Sequence, residues 1–207
     1  MGQKILTEKL EIDVLLFDLG GVLIHFAGFE ELPALVPETV DPSSIRHRWI
    51  GSETVHIFER GDIGPEEFAR RFIFEWGLEL QPEFFLRKLA GWARDPYDGA
   101  ISLLESLHGV FQIGCLSNSN VLHTAHHREA IGQHIDHQFF SNEIGLAKPD
   151  PEIFDFAIQG LGVPANRIAF FDDTAVNVEV AAQTGMQAHL VDGIAELELC
   201  LHQIGIL

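Results

Sequence analysis

The chain has 207 residues, of which 46% are hydrophobic and 10% aromatic; this is enough for a real core and excludes a disordered chain. Its 13 basic and 31 acidic residues leave a formal net charge of −18. A surface that acidic repels nucleic acid and anionic membrane, so neither is expected as a partner, and any anion site has to be built locally.

The two cysteines, Cys115 and Cys200, form no C-x-x-C pair, and a reducing compartment with two buried thiols is expected. No window reaches the roughly 18 apolar residues of a membrane span. Residues 1–11 mix Lys and Glu without the apolar run of a signal peptide, and Leu6 stands where a myristoylation signal needs Ser or Thr. The expected location is cytoplasmic; monomer and dimer both remain open. Sixteen Phe against one Tyr suggest apolar packing.

In chain order, 14–17 is an apolar run of strand length that ends at Asp18 and is followed by Gly20 and Gly21. Glycines permit a tight turn and close approach to a ligand. On this segment alone, Asp18 as a turn cap and Asp18 as a carboxylate delivered to the working edge of an α/β sheet carry similar weight. Residues 26–97 show no convincing strand alternation. Helices are expected over 30–36, ended by Pro37; over 52–60, ended by Gly61; over 65–76, from Pro65-Glu66-Glu67 to Gly77; and over 82–92, from Pro82-Glu83. The block is read as all-helical, with four or five helices.

From Tyr97 onward strands and helices alternate. Helices are expected over 99–107, 151–161, 174–184 and 194–203, and strands over 111–116, 137–140, 168–171 and 187–191. This implies an α/β fold with a Rossmann-like, doubly wound parallel sheet built from 1–25 and 98–207, into which 26–97 is inserted as a helical domain.

The strand ends then become informative. The first gives Asp18, the second Ser117 and Asn118, and the region after 140 gives Lys148 before Pro149. The strand at 168–171 gives Asp172-Asp173, with Asn177 one turn further on. In a parallel sheet these ends converge on one crevice. Carboxylates with little basic charge suit a hard cation such as Mg²⁺. Ser117, its neighbouring N–H and Lys148 are donors for a phosphoryl group, whose transfer needs positioning and charge neutralisation. Singly, each piece has a plain reading as a cap, a turn or a solvated loop. Four of them in order, each at a strand end, are hard to obtain by accident.

The motifs Phe17-Asp18-Leu19-Gly20-Gly21-Val22-Leu23, Leu116-Ser117-Asn118, Lys148-Pro149-Asp150-Pro151-Glu152-Ile153-Phe154 and Phe170-Phe171-Asp172-Asp173 together resemble those of the haloacid dehalogenase-like superfamily of aspartyl-nucleophile phosphatases. The helical insertion matches the cap domain carried by such enzymes. Longer strings, Glu59-Arg60-Gly61-Asp62-Ile63 and Leu116-Ser117-Asn118-Ser119-Asn120 with Leu122-His123-Thr124, are similar to bacterial α-D-glucose-1-phosphate phosphatases.

The resemblance implies hydrolysis of a small phosphorylated metabolite through an aspartyl phosphate on Asp18. Lys148 would act as a catalytic cation that also binds the phosphoryl group, together with Ser117 and Asn118. Asp18, the Gly20 carbonyl, Asp172 and Asp173 would hold Mg²⁺, with Asn177 behind them.

Most of these phosphatases carry a second Asp two residues after the nucleophile, whose carboxyl is the general acid and base. Here that position is Gly20, which keeps the carbonyl and loses the acid, although the glucose-1-phosphate-like relatives share the glycine. Such a group is worth roughly 10²–10⁴-fold in rate. His25 is the nearest replacement, against a plainer role as a hinge at the entrance to the insertion. The histidines at 123, 126, 127, 134 and 137 are read as a solvated helix face rather than a metal cluster. Trp49, His56 and Arg60 face either substrate or, for Trp49 and Arg60, the cap core and an acidic neighbour. Two competing functions remain: a non-catalytic phosphate-binding regulator, motivated by Gly20, and a 2-haloacid dehalogenase, disfavoured by Asp172-Asp173.

Overall fold

The computed structural model describes residues 11–37 and 41–207, so the reading of the amino-terminal stretch lies outside the described residues except at Glu11. Strand β1 (Val14–Phe17) is followed by β2 (Ile24–Phe26) and five helices: α1 (Gly28–Glu31), α2 (Pro42–Ile50), α3 (Glu53–Glu59), α4 (Pro65–Trp76) and α5 (Pro82–Ala90). The chain returns through β3 (Ala93–Pro96) to α6 (Ala100–Leu107), β4 (Gln112–Ser117), α7 (Thr124–Ile131), β5 (His137–Phe140), the short α8 (Ser141–Ile144) and α9 (Pro151–Leu161). It ends with β6 (Ile168–Asp172), α10 (Ala175–Gln183), β7 (Gln187–Leu190) and α11 (Gly193–Gln203).

Five strands form one parallel sheet in the order β5-β4-β1-β6-β7, with β1 at its centre. Every residue of β1 is buried because alternate side chains feed two apolar layers. Leu15 and Phe17 join Leu103, Leu104, Leu197 and Leu201 of α6 and α11 on one face. Val14 and Leu16 join Phe154 and Ala157 of α9 and Ala181 of α10 on the other. Phe17 pairs in register with Cys115 and Phe171. The residues just past these positions, Asp18, Leu116-Ser117 and Asp172, therefore emerge together at one edge.

The inserted helices enclose a separate aromatic cluster. Phe72 stacks on Trp76 at 4.8 Å and on Phe85 at 5.0 Å, and Phe58 on Phe68 at 4.1 Å. This is where much of the phenylalanine goes. Helices α3 and α4 begin and end within a residue of the sequence reading, since Ser52 caps α3 by accepting the Val55 N–H and Gly77 closes α4 in the left-handed region.

Two expectations fail. The helix over 30–36 breaks at Glu31 into a 3₁₀ turn, Leu32–Ala34, because Pro33 lacks the N–H that an α-helix needs. The block is also not wholly helical: β2 and β3 pair antiparallel where the chain enters and leaves the insertion. Strands of three and four residues containing Arg94, Asp95 and Pro96 are too short and polar to alternate. Among the described residues, no helix is long and apolar enough to cross a membrane.

Candidate active site

Asp18 follows β1 directly. Its N–H donates to the Phe171 carbonyl (2.8 Å), and its Oδ1 accepts the Leu19 N–H (2.8 Å). Lys148, only 2% exposed, reaches two carboxylates: its Nζ lies 3.0 Å from Asp18 Oδ1 and 2.6 Å from Asp172 Oδ2. Asp172 is fully buried and also accepts from the Thr174 N–H (2.8 Å) and from Asn177 Nδ2 (3.0 and 3.1 Å). Asn177 thus stands behind Asp172, and Asp172 holds the lysine. Burial would strip the lysine of its proton, but the two carboxylates outweigh it and hold the ammonium charged well above the usual range. Burial pushes the Asp18 carboxyl up to about 7; Lys148 pulls it down, and Asp172 and Asp173 push it further up. The pocket therefore favours added positive charge.

Asp173 is drawn in by a residue the sequence did not single out. Arg46 of α2 lies 2.7 Å from Asp173 Oδ2 and donates to the Asp173 carbonyl at 2.8 Å. Nothing in α2 marks this arginine in advance, because its partner is 127 positions away. Gly21 is obligatory here. Its φ is +79°, and a Cβ would lie 2.0 Å from Asp173 Oδ2. Gly21→Ala is expected to lower stability by at least ~1–2 kcal/mol, the cost of a left-handed non-glycine residue, and an unchanged thermal midpoint would contradict this account. Asp18, Asp172 and Asp173 each offer an oxygen within 4.8 Å of the others. That hard, all-oxygen donor set with a surplus of negative charge fits Mg²⁺. Asp172 has the fewest lone pairs to spare.

Ser117 ends β4, 1% exposed, and lines the same cavity. The Asn118 side chain is already engaged. Its Oδ1 accepts the Lys148 N–H (2.8 Å), and its Nδ2 donates to the Lys148 carbonyl (2.9 Å) and to Glu59 Oε2 (3.0 Å). The cavity, about 270 Å³, is closed on the insertion side by Phe26, Phe29, Trp49 and Tyr97. Gly20, His25, His56 and Glu59 also line it. Trp49 is both cavity wall and cap core. Arg60 turns away to Asp62 at 2.9 Å. His25 Nε2 is 2.9 Å from Glu30 Oε1 at the partly exposed mouth.

The solvated-face reading of the histidines is wrong for two of them. His123 and His127 are buried; His123 Nε2 lies 2.7 Å from the Leu89 carbonyl, and burial pushes His127 down to about 3, which keeps it neutral. His127, on α7, packs against Phe140, and His123, just before α7, meets Phe26 edge-on.

A family model described as haloacid dehalogenase-like hydrolase matches residues 12–185. Flavin mononucleotide hydrolase 1 of Arabidopsis thaliana is 26% identical over 97% of this chain and 81% of its own length. D-ribitol-5-phosphate phosphatase of Bacteroides thetaiotaomicron is 23% identical over 84% of this chain and 88% of its own. The crystal structure of a HAD family enzyme from Bacteroides thetaiotaomicron, in complex with magnesium and inorganic phosphate, superposes with a TM-score of 0.67 at 23% identity, covering 87% of this chain and 94% of that one. With the family model spanning most of the parallel sheet and all four strand ends, the chain belongs to the haloacid dehalogenase-like hydrolases.

Proposed function

We propose that the protein is a Mg²⁺-dependent phosphatase of small phosphorylated metabolites that works through an aspartyl phosphate on Asp18. The observation that carries this reading is the buried Lys148 clamped between Asp18 and Asp172 in the lining of the cavity. Asp18 attacks phosphorus. Lys148 offsets the repulsion between its carboxylate and the phosphate dianion. The Ser117 hydroxyl and the Asn118 main-chain N–H hold the phosphoryl oxygens, since the Asn118 side chain is committed elsewhere. Asp18, the Gly20 carbonyl, Asp172 and Asp173 are the residues for Mg²⁺, which when bound would neutralise phosphate charge.

A cavity of about 270 Å³ lies just below the range of drug-sized sites and suits a small substrate. One named relative is a flavin mononucleotide hydrolase and the other a D-ribitol-5-phosphate phosphatase, each named for a small phosphorylated molecule. A monosaccharide phosphate, with glucose 1-phosphate first, is the substrate class to test, with a cytoplasmic location in keeping with the free Cys115 and Cys200.

The test is turnover of p-nitrophenyl phosphate and of a panel of sugar phosphates with Mg²⁺ and after chelation. Release of phosphate that stops on chelation is expected. Gly20 favours one alternative, a non-catalytic phosphate binder, which tight sugar-phosphate binding without any aryl phosphate turnover would establish. Dehalogenation of a 2-haloacid that survives the chelator would replace both readings.

A further inference from the structure

We infer that Glu59, reaching in from the helical insertion, is the acid and base of the Asp18 reaction and does the work of the carboxyl absent at Gly20. This rests on the phosphatase reading above.

Glu59 is the last residue of α3, and its main chain is anchored to the other domain, its carbonyl accepting from Ser141 Oγ at 2.6 Å. Its Oε2 accepts from Asn118 Nδ2 (3.0 Å), and Asn118 is in turn locked to Lys148 by two main-chain hydrogen bonds. The carboxylate is thus positioned through the same residues that position the Lys148 cation. It opens on the cavity that holds Asp18, Gly20 and Ser117. Glu59 is half-buried, and among the described residues it forms no ion pair.

The charged groups around it are otherwise occupied. Lys148 is held by Asp18 and Asp172, Arg46 by Asp173, Arg60 by Asp62, and Glu143 on α8 by Arg128. Burial pushes the Glu59 carboxyl up to about 7, opposed by Asn118, Lys148 and the Trp49 indole and reinforced by Asp18. A group titrating there can give and take a proton near neutrality. His25, the replacement suggested by the sequence, instead spends a ring nitrogen on Glu30 at the partly exposed mouth. Sterics do not forbid an acid at position 20, since a Cβ there meets nothing nearer than Phe26 Cβ at 3.7 Å.

The balanced steps are these. The Asp18 carboxylate attacks phosphorus and the ester P–O bond breaks. Protonated Glu59 gives its proton to the leaving oxygen, releasing the alcohol and leaving Glu59 as carboxylate. Glu59 then takes a proton from water as the water oxygen attacks the aspartyl phosphate. Inorganic phosphate leaves, the Asp18 carboxylate returns, and Glu59 is protonated again.

The experiment compares p-nitrophenyl phosphate, whose leaving group hardly needs an acid, with phenyl phosphate, whose leaving group resembles a tyrosine phenol of pKa about 10. Glu59→Gln keeps an acceptor for Asn118 and is expected to fold. It should lower kcat/KM on phenyl phosphate by roughly 10²–10⁴-fold and change that on p-nitrophenyl phosphate far less. It should also release a burst of about one nitrophenolate per Asp18 and accumulate phosphorylated protein, visible by intact mass. The wild-type kcat/KM for phenyl phosphate should fall above about pH 7, where Glu59 loses its proton, and the variant should lack that limb. Gly20→Asp added to Glu59→Gln should restore phenyl phosphate turnover.

Equal loss on both substrates without a burst, a leaving-group-selective loss in His25→Gln or His56→Gln but not in Glu59→Gln, or no rescue by Gly20→Asp in a folded protein would each overturn the assignment. Absence of any wild-type turnover would instead remove the phosphatase reading, and this inference with it.

Discussion

Asp18→Asn is expected to abolish Mg²⁺-dependent hydrolysis of p-nitrophenyl phosphate, with kcat falling by at least ~10⁴-fold, the scale seen when a covalent nucleophile is removed. The asparagine amide lacks the nucleophilic oxygen that attacks phosphorus. Among the described residues, Asp172 is engaged by Lys148, Asn177 and Thr174, and Asp173 is held by Arg46. The fold should survive the change. The Asp18 carboxyl is raised by burial from its ordinary value of 3.8 to about 7. A raised carboxyl contributes stability that is full below the unfolded pKa and is lost as pH rises through the folded one. At pH 8 without metal the wild-type carboxylate is therefore an electrostatic burden that asparagine lacks. The variant should melt no lower than wild type there, and Mg²⁺ should raise its thermal midpoint less than it raises that of the wild type. Retained turnover would sink Asp18 as the nucleophile. An inactive variant that melts far below wild type would mean the loss reports unfolding.

Lys148→Met carries the second large effect, on stability as well as on rate. The substitution leaves Asp18 and Asp172 facing each other in a buried pocket without their shared cation. Removing one partner of a buried charge cluster costs roughly 3–5 kcal/mol, which for a chain of this size lowers the thermal midpoint by about 10 °C. Losing the cation that faces the phosphate should lower kcat by roughly 10²–10³-fold, the scale for one preorganised charge-stabilising donor. The stability deficit should shrink as pH falls from 8 to 5, because Asp18, raised by burial and no longer pulled down by the lysine, can then take up a proton. Asp172→Asn in the Lys148→Met background should recover part of it. A thermal scan of the four proteins in this double-mutant cycle measures the coupling; strictly additive midpoints would show that the lysine and Asp172 do not depend on each other.

The division of labour between sequence and tertiary structure follows from how far apart the interacting groups are. Strands such as 14–17 and 168–171 are legible because a strand buried on both faces must be continuously apolar. Helices α4 and α5 are legible because Pro and Gly punctuate them. The residues at the ends of the parallel strands are legible as well. Once the strands are taken as parallel, topology alone sends Asp18, Ser117 and Asp172 to one edge. The brief ribbon β2–β3 escaped because neither strand is long enough to show alternation. The break in the helix over 30–36 turned on Pro33, a residue already visible but outweighed by apolar spacing.

By itself, the sequence determined the α/β alternation, the helical insertion, the acidic balance and the order of the chemical groups along the chain. Those properties are local or follow from periodicity. Only the tertiary structure decided that Lys148 is shared by two carboxylates, that Asn118 spends its side chain on Lys148 and Glu59, that Arg46 reaches Asp173, and that His123 and His127 are buried. Each of these depends on contacts between side chains distant in sequence or on the filling of a cavity, and burial, which moves Asp18 and Glu59 toward neutrality, exists only once the strand ends and the inserted helices pack around the same space.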